Sequence, residues 1–434
     1  MHCCERCNTR FSSAYRGAHP RCRTCRAAPT VEYVAEQAAV VEVEVLITLE
    51  TLPAELIVGM FMHAPLDVLI MASRASKHMN HALAGAITER KKRLVEAWRS
   101  GSCVAANAGF SRGHTRLQLF PDGTRLVSAV GGFRDKESNE ASVNEAAVYS
   151  MDGSVEGVLS GDGWINMYVA NVTCMATDGV HIACGYDDSC GDKVRLWTAD
   201  TLEARGSFAQ RQCPKRLALR GNLLVSCTDY NFEMCMWNVL THEERIHTLG
   251  DSRAPLFRAS ALGVSSTVII VGGSYGSQSG AALIWARESL GQRPLVECIQ
   301  FNLQHPGTVC DISVQGDVLA TCCGDAVVRI FSVSRGELIR ELASTSFMPT
   351  VDTIALMGIM LVSGERGGSV KIWALEGDDV GECITTLPST RTCNVGQAMS
   401  VAATPLGSVI AKLESGGAYG LTVWVTKNTE QSEI

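Results

Sequence analysis

Charge is scarce in this chain of 434 residues: only 19% are Asp, Glu, Lys or Arg, against 46% hydrophobic residues. A chain so poor in charge buries a core rather than staying disordered. The net charge of −7 gives no whole-molecule pull toward nucleic acid. Long apolar runs are missing too. The longest, TIALMGIMLVSG from Thr353, is too short to span a bilayer and is interrupted by Gly358, so it reads as two strands and a turn. The N-terminus has no apolar leader stretch; it is rich in Cys and Arg instead. Enzyme signatures are equally sparse. The glycine-rich stretches VGGSYGSQSGAA from Val271 and SGERGGSV from Ser363 lack a P-loop lysine and a following helix, and read as turns. The ten histidines never fall at HExxH spacing, and no serine is read as a nucleophile elbow. The expectation is a protein that binds and does not catalyse.

What is present is a repeat. Six stretches end alike: VRLW at Trp197, MCMW at Trp237, ALIW at Trp285, VRIF at Phe331, VKIW at Trp373 and LTVW at Trp424. A weaker copy, AAVY, ends at Tyr149. Successive aromatic ends lie 48, 40, 48, 46, 42 and 51 residues apart. Strand-rich units of that period, punctuated by Gly and Asp-Gly turns, are the signature of β-propeller blades. Seven aromatic ends predict seven blades, with six or eight as alternatives. The chain stops soon after Trp424, so the last blade lacks an outer strand; residues 102–109 are placed to supply it and leave no open edge.

Ahead of the repeat lie three other compositions. Residues 1–28 hold two CxxC pairs, Cys4/Cys7 and Cys22/Cys25, with fourteen residues between them. Each CxxC turn presents two thiolates to one ion, and two turns complete the all-sulfur tetrahedron that zinc prefers. The gap is just under the usual structural range of about 15 to 20 residues. Cys3, His2 or His19 are substitute ligands. Metal binding of this kind supplies on the order of 10 kcal/mol of folding energy. The alternatives are an unstructured Cys-rich tail and a redox dithiol. Six arginines against Glu5 alone would suit nucleic acid, but Phe11 and Tyr15 are the only aromatics between them, which favours a structural or protein-binding ribbon. The thirteen other cysteines are scattered through apolar segments and read as buried free thiols in a reducing compartment. Residues 29–49, alternating Glu with Val and Ala, form a linker.

Residues 50–98 have helical periodicity and almost no glycine. Pro53 opens a helix whose apolar positions are Leu52, Leu56, Met60 and Phe61; Leu66, Leu69, Ile70, Met79 and Leu83 continue apolar faces. A final helix is expected near AITERKKRLVEAW, with Ile87, Leu94 and Trp98 on one side. The sequence LPAELIVGMFMHAPLDVLIMASRASKHMNHAL from Leu52 resembles the F-box family: Leu52, Pro53, Glu55, Leu56, Phe61 and Leu69 match its pattern in order. Met60, Ala64, Ala75 and Met79 depart from it, standing where the family has Ile, Leu, Val and Trp. The resemblance implies that Leu52, Pro53, Leu56, Phe61 and Leu69 dock onto a Skp-type adaptor, and through it a cullin–RING ubiquitin ligase. Without that resemblance, the same residues are the core of a helical linker.

The blades resemble WD repeats. Gly113-His114, RLQLF, PDG at 121–123, TRLVSAV, AAVY and SVEGVLS follow the family's order of strands and turns. The Trp-Asp dipeptide is lost, since Trp197 precedes Thr198, Trp237 precedes Asn238, and Trp285 and Trp373 precede alanine. The His-Ser-Asp-Trp network is therefore expected to be mostly degraded; Asp192 and Asp325 keep the tight-turn position. Arg116, Arg216 and Arg258 are read at the starts of inner strands, where guanidinium groups would suit an acidic or phosphorylated client peptide; they are equally readable as solvated rim charges. The sequence thus predicts a mainly β protein. A zinc-binding-like segment (1–28), a linker (29–49) and a small all-α F-box-like module (50–98) precede a seven-bladed propeller (102–426) and a short tail (427–434). The resemblance implies a substrate-recognition subunit of an SCF-type ligase in the cytoplasm or nucleus. A WD-repeat scaffold of another assembly, whose basic zinc module contacts nucleic acid or protein, is the alternative.

Overall fold

The computed structural model describes residues 52–61, 66–101, 103–109, 114–130, 146–151, 154–159, 171–187, 192–228, 233–248, 257–276, 279–290, 298–344, 350–377, 379–387, 397–404, 409–415 and 420–426, with the short ladder of His2–Cys3 on Arg10–Phe11. Two compact units divide the chain, 1–92 and 93–434.

In the first unit, α1 (Ala54–Phe61), α2 (Leu66–Ala75) and α3 (Lys77–Arg99) surround a small core of Ile57, Leu69, Met79 and Leu83. Pro53 starts α1, its carbonyl accepting from the backbone N–H of Leu56 and Ile57. Ser76 caps α3, its Oγ accepting from Met79 N at 3.2 Å. The expected break before Ala86 does not occur: α3 runs unbroken for 23 residues. Gly85 costs about 1 kcal/mol against alanine in such a helix, and the flanking Ala, Leu, Glu, Arg and Lys residues outweigh it.

The last turn of α3 belongs to the second unit. Trp98 is fully buried there, with Leu94 and Val95, against Met357, Ile359, Met360 and Trp424. Arg99 pairs with Asp379 beside it.

The second unit is a ring of seven four-stranded antiparallel sheets. Blades 1 to 6 span 114–159, 171–209, 216–248, 257–305, 309–343 and 351–387. Blade 7 takes three strands from 397–426 and its outer strand from the other end of the unit: Cys103–Gly109 pairs with Gly420–Thr426 in continuous register. This is the closure the sequence predicts, and no blade is left incomplete. The run around Gly358 forms the expected strand pair, Val351–Met357 and Met360–Glu365, with Gly358 at φ +66° in the turn.

Each aromatic end lies buried on a third strand opposite an aliphatic residue of the second. Tyr149 faces Leu126, Trp197 Ile182, Trp237 Leu224, Trp285 Ile269, Phe331 Leu319, Trp373 Leu361 and Trp424 Ile410. Such cross-strand pairs repeat the same stabilising unit in every blade. Two residues further along the second strand stand Ser128, Cys184, Ser226, Val271, Thr321, Ser363 and Lys412. The polar network expected to be degraded is partly refilled at this position. Trp373 Nε1 donates to Ser363 Oγ at 2.9 Å. Ser226 Oγ donates to Gln210 Oε1 at 2.7 Å, and Gln210 takes the place that His305 holds beside Thr321 in blade 5. In blade 6, Lys371 and Glu365 form a buried pair at 2.9 Å. In blade 7, Lys412 donates to Gly368 O at 2.8 Å and lies 5.5 Å from the Trp424 ring. Burying an ammonium without such partners would cost several kcal/mol.

The glycine-rich stretch from Val271 runs from strand into turn: Gly272, Gly273 and Ser274 sit inside Val268–Tyr275, and Gly276 follows in a turn at φ +70°. A Cβ on Gly273 would lie 2.0 Å from Arg258 O, so the close approach of the inner strand requires glycine. Gly272, Ser274 and Gly276 do spell a GxSxG sequence, but a further strand, Ser279–Ala286, follows it where a nucleophile elbow needs a helix.

Candidate functional site

Two places concentrate functional side chains. The first is the solvent face of α1. Helix periodicity puts Ile57 into the small core and turns Leu56 and Met60, one turn apart, outward; they are 57% and 63% exposed. Pro53 is exposed, while Leu52 and Phe61 are half-buried against the core. His78 Nε2 bonds Leu52 O at 2.8 Å and fixes the chain ahead of the helix. Leu69 is a core residue, 1% exposed. The five sequence-predicted residues therefore divide: Pro53 and Leu56 are outside, Leu52 and Phe61 at the edge, and Leu69 inside.

The second is the mouth of the propeller channel, and it is built by register. In every blade one inner-strand residue pairs with the residue just past the Ser/Thr-type position of the second strand. Around the ring these are Arg116, Cys174, Arg216, Ala261, Asp311, Thr353 and Ser400. In six blades a β-bulge precedes this residue; in blade 3 Arg216 begins the strand. Bulges re-aim side chains, and here they turn polar groups from one blade onto the next.

The hand-over is clearest from blade 5 to blade 7. Asp311 Oδ2 accepts from Thr353 Oγ1 and Ile354 N, both at 2.9 Å. Ser313 Oγ accepts from Leu356 N, and Gln315 Oε1 from Gly358 N, again at 2.9 Å. Alternate residues of one strand thus satisfy alternate N–H groups of the next blade, which otherwise face the channel without partners. Thr353 Oγ1 accepts from Val401 N, and Ser400 Oγ donates to Leu117 O of blade 1. Thr173 and Ser260, the bulged residues of blades 2 and 4, donate to Pro214 O and Val309 O.

A cavity of about 340 Å³ opens along these strands. Arg216, Cys310, Asp311 and Asp352 line it. Asp352 is held by Arg366 through two bonds, Nε to Oδ2 at 3.3 Å and Nη2 to Oδ1 at 3.1 Å. Burial pushes the Cys310 thiol up; Asp352 and Asp311 add to that, and Arg366 and Arg216 oppose it. Burial also raises the Asp311 carboxyl, against the bonds from Ile354 and Thr353 and the charge of Arg216. The thiol is therefore a poor nucleophile.

Of the three predicted arginines, Arg116 and Arg216 occupy equivalent register positions. Arg258 is exposed, three residues ahead of its blade's equivalent, Ala261, and does not line the cavity. Sequence reasoning missed Asp311, Asp352 and Arg366. The alternating polar residues of DISVQ (Asp311, Ser313, Gln315) were the available signal: a period of two in an inner strand marks one face turned to a polar neighbour.

Cys4, Cys7, Cys22 and Cys25 lie outside the described residues. Among the described residues no group of three or more His, Cys, Asp or Glu is placed to hold a metal, and no helix is long and apolar enough to cross a membrane. Eleven described cysteines are free thiols, seven of them buried.

No protein-family model matches the chain, and no curated protein matches it. Solved structures do resemble it, 1681 chains in all, so the ring is a common architecture. One is the structure of U3-55K, a WD propeller: it aligns over 75% of this chain and 99% of its own, with a TM-score of 0.54 and 17% identity. At that identity the likeness establishes the fold alone. The chain is a seven-bladed β-propeller preceded by a small helical unit.

Proposed function

We propose that this chain is the substrate-recognition subunit of an SCF-type E3 ubiquitin ligase. The α1 face docks to a Skp-type adaptor, the propeller holds the client protein, and the bond-making chemistry belongs to the partners. The contribution of this chain is proximity: it brings a client lysine to a charged conjugating enzyme. The observation that carries the reading is the outward pair Leu56 and Met60, on a helix that opens with the Leu-Pro of the F-box-like segment. Large apolar side chains displayed one turn apart on a helix suit a groove in a partner. In this reading Cys4, Cys7, Cys22 and Cys25 bind one structural zinc ion, and the protein works in the cytoplasm or nucleus.

The test is co-purification of the full-length chain with a Skp-type adaptor from its own host. Leu56→Asp, with Met60→Asp as a second variant, is expected to abolish retention, because a buried aliphatic anchor at an interface is worth about 1–3 kcal/mol and a charge there costs more. Retention unchanged by both variants rejects the adaptor face. A salt-sensitive oligonucleotide shift without adaptor binding would point to the scaffold alternative. Cobalt bound to a peptide of residues 1–28 should give a tetrahedral thiolate spectrum that zinc bleaches; its absence rejects the metal.

A further inference from the structure

We propose that the channel mouth selects the carboxylate side chain of an unmodified acidic peptide and discriminates against a phosphorylated one. The inference deepens the client-binding reading of the propeller and rests on it. Its basis is a count of charges and of unused donors at one place. Arg216, Arg366, Asp311 and Asp352 all act on the Cys310 thiol, so they form one electrostatic cluster. Two cations and two anions cancel. Arg366 is committed: its two-bond clamp on Asp352 uses the fork that would otherwise meet a ligand. Asp311 is committed as well, with Oδ2 taken by Thr353 and Ile354 and Oδ1 by Ile312 N.

Arg216 is different. Only its Nη1 is engaged, donating to Lys215 O at 2.9 Å. Nε and Nη2 keep their donors, and the residue lines the cavity. Where Asp311, Thr353 and Ser400 reach across to the next blade, Arg216 bonds back to its own strand. Among the described side chains of this cluster that leaves one guanidinium fork, which matches one carboxylate in a bidentate pair. A phosphoserine carries a charge of about −1.5 to −2 and needs more than one cation to balance it. At this mouth it would meet two carboxylates, with the second guanidinium already clamped. Like charges in an enclosed site repel strongly, because solvent screens them poorly.

The experiment uses the purified full-length chain and no adaptor, so it is independent of whether the ligase assembles. The probe is an immobilised peptide array with randomised flanks and a central Glu, Asp, Ser or phosphoserine. The wild-type chain should retain the Glu and Asp pools at least about five-fold above the phosphoserine pool, the size expected of one bidentate pair. Arg216→Lys, which keeps the charge and loses the fork, should bring the carboxylate pools down to the Ser level. Asp352→Asn should release Arg366 and raise the phosphoserine pool at least about five-fold by removing one repulsion and supplying a second fork. Should that variant fail to fold, competition on the wild-type chain decides: free glutarate should displace the Glu pool, and inorganic phosphate at equal ionic strength should not. Preference for phosphoserine, equal retention of all pools, a folded Asp352→Asn with an unchanged ratio, or displacement by phosphate alone each overturns the proposal.

Discussion

The helical unit and the propeller differ in how their buried cores are built. Among the described residues, the helical unit has four fully buried hydrophobic side chains and displays Leu56 and Met60 to solvent. The propeller divides its interior into seven clusters and repeats one aromatic-on-aliphatic pair in each blade. The propeller also displays apolar residues such as Leu240 and Ile339, but its repeated pairs give it by far the larger core, whereas the exposed pair of the helical unit sits on one short helix over a small one. In the proposed reading, adaptor docking and most of the folding stability therefore fall to different stretches of sequence, and mutations should separate them.

The largest effect is expected from opening the ring. A chain beginning at residue 110 loses the strand Cys103–Gly109 together with Trp98, exposing the edge of Gly420–Thr426. Exposed edges aggregate; the cooperative melting transition should vanish, as read by scanning calorimetry. Next comes Trp98→Ala, which should cost about 3–5 kcal/mol by urea denaturation, because a fully buried indole leaves a cavity. If the loss is under about 1 kcal/mol, the last turn of α3 is not part of the propeller's core.

Third is a pH effect confined to the seam where His305 of blade 4 meets Thr321 of blade 5. Burial, with Arg329 adding to it, lowers the His305 pKa from 6.5 to about 4. The unfolded chain then takes up a proton that the folded one refuses between those values. This contribution to stability is fully present above pH 6.5 and is lost as pH falls toward 4, on the order of 3 kcal/mol. His305→Gln places beside Thr321 of blade 5 the residue type that stands beside Ser226 of blade 3, and should flatten that part of the stability–pH curve measured by chemical denaturation. The smallest stability effect belongs to the helical unit: Leu56→Asp should change the unfolding free energy, read by urea denaturation, by no more than about 0.5 kcal/mol, since the side chain is already outside. A large loss there would mean that α1 depends on Leu56 for folding and would erase the contrast between the units.

The propeller was legible because its signal repeats. A single VRLW says little, but seven aromatic ends at blade spacing fix strand order, blade count and the borrowed strand. The channel mouth was half legible. Arg116 and Arg216 are both inner-strand arginines, and their equivalence emerges only from pairing with Ala129 and Cys227. Arg258 looked alike in sequence, yet the bulge at Ser260 and the longer strand of blade 4 move the equivalent position to Ala261. Bulges add one residue without a compositional mark, so position counting slips there. Asp311 was hidden because its partners Thr353 and Ile354 are some forty residues away, in the next blade. In the helical unit, periodicity placed Leu69 correctly on an apolar face but did not say whether that face turns inward or toward a partner.

The pairing of Cys103–Gly109 with Gly420–Thr426 sets a timetable for biosynthesis. A ribosome releases the first of these strands more than three hundred residues before its mate exists. At about 5–20 residues per second, that strand waits for tens of seconds with its hydrogen-bonding edge uncovered. Blades 1 to 6 complete in order from contiguous sequence, whereas blade 7 stays unfinished until Gly420–Thr426 has been made. The nascent ring is therefore most vulnerable when six of its seven blades are already built, and a holdase that shields residues 103–109 during that interval should raise its yield more than any catalyst of later folding.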